Sequence, residues 1–228
     1  MKRALLGLVG LLVVGASTLG IGVWRAVSPT SGPHIEAGRR GKALILVDLQ
    51  EDYTGLHAKQ PYNEASQLIS AANQLMEAAR AGGWPAYLVR IVVPNDWFHK
   101  LMTGGTAIAG TKGAEFDSRL LRAPDTVEIV KTKSDSFSNP LLDAQLAAHD
   151  VGEIYIAGLD ARFCVMKTIG GALNRGYKVS VVREAIATRH GTPLDELIRG
   201  YEAGGAVMKS LDQAKGELQP PAGGARHL

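Results

Sequence analysis

Three residues of this chain, Asp48, Lys131 and Cys164, have the types and spacing that nucleophilic acyl chemistry needs. Cys164 is the only cysteine, which excludes an intramolecular disulfide and a cysteine-rich metal site and leaves two readings, a small buried hydrophobe or a reactive thiol. It stands in GLDARFCVMKT, between an apolar run and a helical stretch. A thiol in the first turn of a helix feels the positive end of the helix dipole, and a neighbouring lysine adds to it, so both favour thiolate. A carboxylate beside that lysine stays ionised and serves as proton acceptor. Backbone N–H groups in the Gly158–Cys164 turn would receive the developing oxyanion. The reaction class is acyl transfer through a thioester, then hydrolysis by water. Each residue also has an ordinary duty: packing for the cysteine, solvation for a lysine at a strand end, capping for an aspartate after a strand. Spacing alone leaves both readings open.

The elements that must position these residues alternate. Short apolar runs at 42–48, 86–93, 127–130, 153–159 and 178–182 read as buried parallel strands, with a last short strand at 206–208. Helical spacing runs from Asn63, a candidate cap, to Arg80 before Gly82-Gly83; further helices are expected at 140–150, opened by Pro140, at 161–175 and at 193–203. The implied class is α/β, a three-layer fold with a central mostly parallel sheet of about six strands and helices on both faces. Sites in such folds lie beyond the carboxyl ends of the strands. Asp48 and Lys131 end the first and third strands and Cys164 follows the fourth, so one sheet edge gathers all three.

Length and composition fit one domain: 228 residues suffice for a single core, and 46% apolar with 21% charged residues is ordinary for a globular chain. Outside Lys2, Arg3 and Arg25, basic and acidic residues balance at 22 each, with no basic stripe, so nucleic-acid binding is not supported. The segment Ala4–Trp24 is uncharged over 21 residues, about 30 Å as a helix and enough to span a bilayer. Residues 1–26 therefore read as a signal peptide, cut near Ala16 or Ser17, or as a transmembrane anchor, and the body is expected to be exported. Residues 27–41 read as a Pro/Gly/Ser linker, 42–210 as the folded domain and 211–228 as a disordered tail.

Four segments, in order, resemble the isochorismatase-like cysteine hydrolases, which include nicotinamidases: ALILVDLQEDY (43–53), GTKGAEFDSRL (110–120), VEIVKTKSDSF (127–137) and IYIAGLDARFCVMKTIGGALNRGYKVSVV (154–182). The likeness covers about residues 42–210 and implies an amidase-type hydrolase with Asp48 as base, Lys131 as triad lysine and Cys164 as nucleophile. It places a non-proline cis peptide at Leu159–Asp160, with the N–H groups of Asp160 and Cys164 toward the oxyanion. Lys131 is preferred to Lys133 for its distance to Phe137. Asp160 and Ala161 stand where the family usually has small or hydroxyl residues, so an extra carboxylate is expected near the thiol, where it would repel acids or bind a cation. Nicotinamidases carry a metal on one Asp and at least two His; here Asp96 and His99 are the candidates, a second His is missing at the family spacing, and neither a metal nor another cofactor is expected. Trp97, Phe137 and Phe163 are candidates to line the pocket, and Lys167 and Arg175 read as solvated. The expected partner is a small-molecule substrate, and the resemblance implies a homo-oligomer. Two other readings are an isochorismate-type vinyl-ether hydrolase, in which the Cys is often dispensable, and a non-catalytic tethered binding domain of the same fold.

Overall fold

The computed structural model describes residues 28–122, 126–189, 191 and 193–219. In chain order the elements are β1 (Gly41–Val47), α1 (Ala65–Ala81), β2 (Ala86–Ile91), α2 (Trp97–Thr103), β3 (Val127–Lys131), α3 (Pro140–Ala148), β4 (Val151–Gly158), a π turn (Ala161–Val165) continuing into α4 (Met166–Leu173), β5 (Lys178–Ile186), α5 (Leu194–Ala203), β6 (Val207–Lys209) and α6 (Leu211–Leu218). The six strands form one sheet in the order β3-β2-β1-β4-β5-β6, and every pairing is parallel.

The two faces of β1 show how the sheet is covered. Successive side chains of a strand point to opposite faces. Leu44 and Leu46 pack with Leu68 and Leu75 of α1 and Leu218 of α6. Ala43, Ile45 and Val47 pack with Leu142 and Leu146 of α3, Ile169 of α4 and Tyr201 of α5. Both faces of β1 are covered by apolar side chains, which is why it reads as a continuous hydrophobic run.

The structure departs from the sequence reading in four places. Helix α1 starts at Ala65, and no side chain caps it, so Asn63 does not serve as its cap. The expected single helix over 161–175 is a π turn followed by α4. Residues 211–218, expected to be disordered, form α6: Ser210 and Gln213 close a capping box, and Ala214 and Leu218 are buried beside α1. Its two buried apolar residues gave too weak a periodicity to read, and packing supplies what propensity lacks.

The fourth departure concerns the segment expected to be a linker. Thr30 N–H donates to Asp135 Oδ2 (2.6 Å), and Ile35 N–H donates to the Arg175 carbonyl (2.8 Å). Arg175, expected in solvent, is buried. Its guanidinium donates to the Thr30 carbonyl and hydroxyl and to Asp143 (2.7 and 3.0 Å), and lies over the Phe137 ring. Residues 29–35 are thus a strap pinned along α4. Among the described residues no helix is long and apolar enough to cross a membrane. The signal or anchor expected over residues 1–26 lies outside the described residues, as do residues 220–228.

Candidate active site

The site grows from the carboxyl edge of the sheet. Asp48 follows β1 with a left-handed backbone (φ 54°), a conformation that aspartate tolerates better than most residues, and its N–H still donates to the Val89 carbonyl of β2 (2.8 Å). Lys131 closes β3 in register with Ile91 and is fully enclosed. From that edge strand its ammonium reaches Asp48 Oδ2 (2.8 Å) and the Ser134 carbonyl (3.1 Å). Lys133 stands in solvent. The other carboxylate oxygen, Asp48 Oδ1, is buried and has no hydrogen-bond partner.

Cys164 sits in the π turn, half-buried. The N–H groups of its neighbours, Phe163 and Val165, both donate to the Asp160 carbonyl (3.0 and 3.1 Å). Two backbone features set the turn. Gly158 ends β4 at φ 119°, where a Cβ would stand 2.0 Å from the Val47 carbonyl oxygen, so only glycine fits. The Leu159–Asp160 peptide is cis. Burial first, and then the negative charge of Asp48, push the Cys164 thiol up to about 12, against the opposing pull of Lys131. Burial works against the Lys131 ammonium, but Asp48 and Cys164 outweigh it and hold its pKa above the ordinary lysine value. Desolvation of the thiol and the adjacent carboxylate thus work against the thiolate that the helix dipole and Lys131 favour.

The extra carboxylate at Asp160 does not face the thiol as a free charge. Its Oδ2 accepts from Tyr62 OH (2.8 Å) and the Arg189 N–H (3.4 Å), and its Oδ1 from the Arg162 N–H (2.7 Å) and the Thr188 hydroxyl (3.2 Å). It is a scaffold that ties the nucleophile turn to loops at 62 and 188–189. The Arg189 guanidinium then lies over the Tyr62 ring, 4.1 Å from its centroid, and 5.7 Å from that of Tyr53.

Above Cys164 and Asp48 opens a pocket of about 440 Å³, walled by Tyr53, Tyr62, Thr106, Phe163 and Arg189 among others. Phe163 is the one of three expected aromatics that lines it. Phe137 belongs to the core, stacked near Tyr177 under Arg175, because the turn at 136–138 folds inward below the Lys131 loop. Trp97 points to solvent from α2, although Met102 and Thr103 of that helix reach the pocket. Sequence reasoning missed Tyr62, Arg189 and Thr106. Tyr53 was within reach, as the aromatic of the Asp-x-Gln-x-Asp-aromatic motif. That motif also supplies struts: Gln50 bonds the Ile91 and Ala114 carbonyls (3.0 and 2.9 Å), and Asp52 Oδ2 accepts from the Ala107 N–H (2.9 Å).

Asp96 and His99 do not make a metal-ligand set. Asp96 caps α2, accepting from the His99 N–H (2.9 Å) with one oxygen and pairing His99 Nδ1 (2.7 Å) with the other. Among the described residues no third His, Cys, Asp or Glu joins them, and His57 is exposed on its own loop. The donor set does not fit the nicotinamidase metal.

A family model described as Isochorismatase domain matches residues 42–213. An uncharacterised isochorismatase family protein of Bacillus subtilis is 26% identical over 158 residues, 64% of this chain and 86% of that protein. The N-carbamoylsarcosine amidase of an Arthrobacter species is 27% identical over 163 residues, covering 64% of this chain and 60% of that protein. Among solved structures, the N-carbamoylsarcosine amidase of Thermoplasma acidophilum superposes with a TM-score of 0.67 at 27% identity, covering 76% of this chain and 98% of that one.

Proposed function

Because the chain belongs to the isochorismatase family, hydrolases with amidases among them, we propose that it is a cysteine amidase cleaving a C–N bond of a small molecule. One observation carries the reading: Lys131 holds one oxygen of Asp48 at 2.8 Å, while the other oxygen stays buried without a partner of its own, and the same carboxylate raises the pKa of the Cys164 thiol. That oxygen is a base in waiting. In the proposed cycle Asp48 takes the Cys164 proton as Sγ attacks the carbonyl carbon, with the N–H groups of Asp160 and Cys164 as the donors to the oxyanion. The proton passes from Asp48 to the leaving nitrogen, the C–N bond breaks, and a thioester remains. Asp48 then takes a proton from water, hydroxide adds to the thioester, and the acid departs as the thiol regains its proton. Lys131 keeps Asp48 in place throughout and balances its charge.

The pocket narrows the substrate class. Among the described lining residues, Arg189 is the cation, held over two tyrosines at the wall. A small amide or ureide with an anionic group would pair with it, and N-carbamoyl amino acids, the compound class in the name of the Arthrobacter relative, are the first to test. The chain is further proposed to be exported and held at a membrane through the uncharged Ala4–Trp24.

The test is ammonia release from a panel of N-carbamoyl amino acids, carboxylate-free ureides and nicotinamide, with native protein, Cys164→Ala and Arg189→Gln. Release by the native form and none by Cys164→Ala is expected, with Arg189→Gln raising KM about 10–100-fold for carboxylate-bearing compounds alone. Equal release by Cys164→Ala would remove the thioester route and favour the vinyl-ether chemistry.

A further inference from the structure

Helix α2 turns its apolar side outward. At 100° per residue, Trp97, Phe98, Leu101 and Met102 fall within an arc of about 140°. None of the seven residues of α2 is buried, and Trp97, Leu101 and Met102 are 76%, 72% and 68% exposed. The neighbouring loop adds Leu56, 77% exposed, and is tied to the end of α2 by Lys59 Nζ on the Gly105 carbonyl (2.9 Å) and Gln60 Nε2 on the Thr103 carbonyl (3.4 Å). Met102 and Phe163 both line the pocket, so this apolar surface is its lip. Lys100 and Arg162 stand exposed beside it, as does Lys59, whose ammonium also pairs with the buried Asp52 (3.7 Å), while the nearby acid Asp96 is paired with His99.

The path of the chain indicates what covers the lip. Three residues, Arg25–Val27, separate the uncharged run ending at Trp24 from Ser28. The four steps from Trp24 to Ser28 reach about 14 Å at most. The strap is held at Ile35 by the carboxyl end of α4, and Pro29 lies against Gly170 one turn before that end. Between these points it climbs α4 toward its amino end, and Phe163 lies seven residues above Gly170, about 10 Å farther along. The described chain thus begins on the flank that leads to the lip, within a short reach of an uncharged run long enough to span a bilayer.

We infer that the lip formed by α2, Leu56 and Phe163 docks onto a membrane with anionic headgroups, so that the pocket mouth opens at the bilayer surface. The inference rests on the proposed membrane tether. Trp and Phe suit the zone between acyl chains and headgroups, and the surrounding lysines and arginine suit the anionic surface.

The test uses the full chain reconstituted with phosphatidylcholine–phosphatidylglycerol vesicles whose acyl chains carry bromine just below the headgroups. Flotation reports the tether, and the emission difference between native protein and Trp97→Tyr isolates Trp97, which is largely exposed and meets the Phe98 ring edge-on. The expected result is flotation with Trp97 emission quenched at least twofold, and less quenched when phosphatidylglycerol is left out. Flotation with unquenched Trp97 overturns the docked lip and leaves the tether standing. A Trp97 emission that shifts with protein concentration but ignores bromine assigns the face to a second copy and likewise overturns the proposal. A chain that stays at the bottom of the gradient sinks tether and lip together.

Discussion

A thiol pushed up to about 12 by burial and by Asp48 is a poor reagent for passing electrophiles, and in the proposed cycle it becomes a nucleophile only as its proton passes to Asp48. This separates alkylation from hydrolysis. Below the thiol pKa the thiolate fraction grows about tenfold per pH unit, so the iodoacetamide rate of Cys164 should keep climbing through neutral pH without a plateau. Asp48 raises the thiol pKa, so Asp48→Asn should speed alkylation at pH 7 while abolishing amide hydrolysis. A slower alkylation would refute the role given to its charge. Lys131 pulls the other way: Lys131→Met should slow alkylation and, by leaving Asp48 buried without its partner, cost about 3–5 kcal/mol of stability in urea titrations. The sign extends to the fold itself. Cys164 and Lys131 both hold protons more firmly folded than unfolded, so stability should fall as pH rises past the ordinary thiol pKa of about 8.5. Cys164→Ser should remove the first part of that decline in thermal midpoints measured against pH.

At the scale of elements, what was legible in the sequence was whatever stands between two dry faces. The runs at 42–48 and 153–159 could be read because every residue of a doubly covered strand tends to be apolar, while 127–130 is a half-exposed edge strand with Glu128 and Val130 outward; their ends placed Asp48, Lys131 and the Cys164 turn at one edge. Pro140 behind the Asn139 cap was equally plain, with the Asn139 side chain accepting from the Leu141 N–H (2.9 Å). Helix α6 escaped because Gly216 and its charged residues hide the two that it buries. The π turn escaped because hydrophobic spacing cannot separate it from the α-helix that follows it. Gly158 is where an element fixes the site most tightly. Gly158→Ala should lose several kcal/mol, through its positive φ and the clash with Val47, and should depress alkylation and hydrolysis together, as read from the urea midpoint and the two rates.

Across the whole molecule, the wall of the pocket was illegible for a topological reason. Tyr62 and Arg189 lie 127 positions apart on connecting loops, and nothing periodic links them; Asp160 joins them only once β1, β4 and β5 stand side by side. Asp160 itself was singled out as a departure from the family, but the sequence could not show that its carboxylate, which lines the pocket, also accepts hydrogen bonds from Tyr62, Arg162, Thr188 and Arg189. The strap has a practical consequence of the same kind. The family match begins at residue 42, which makes that residue the natural place to cut the gene. A chain begun there would lack Thr30 and Ser31, leave the Arg175 guanidinium short of acceptors in an enclosed site, and free Asp135, next to the Ser134 carbonyl that steadies Lys131. It should unfold about 2–4 kcal/mol more readily than a chain begun at Ser28, by the worth of hydrogen bonds to charged groups. The span of the family match and the smallest stable fragment should differ by the length of that strap, and a fragment screened for activity without it would be judged on a loosened lysine.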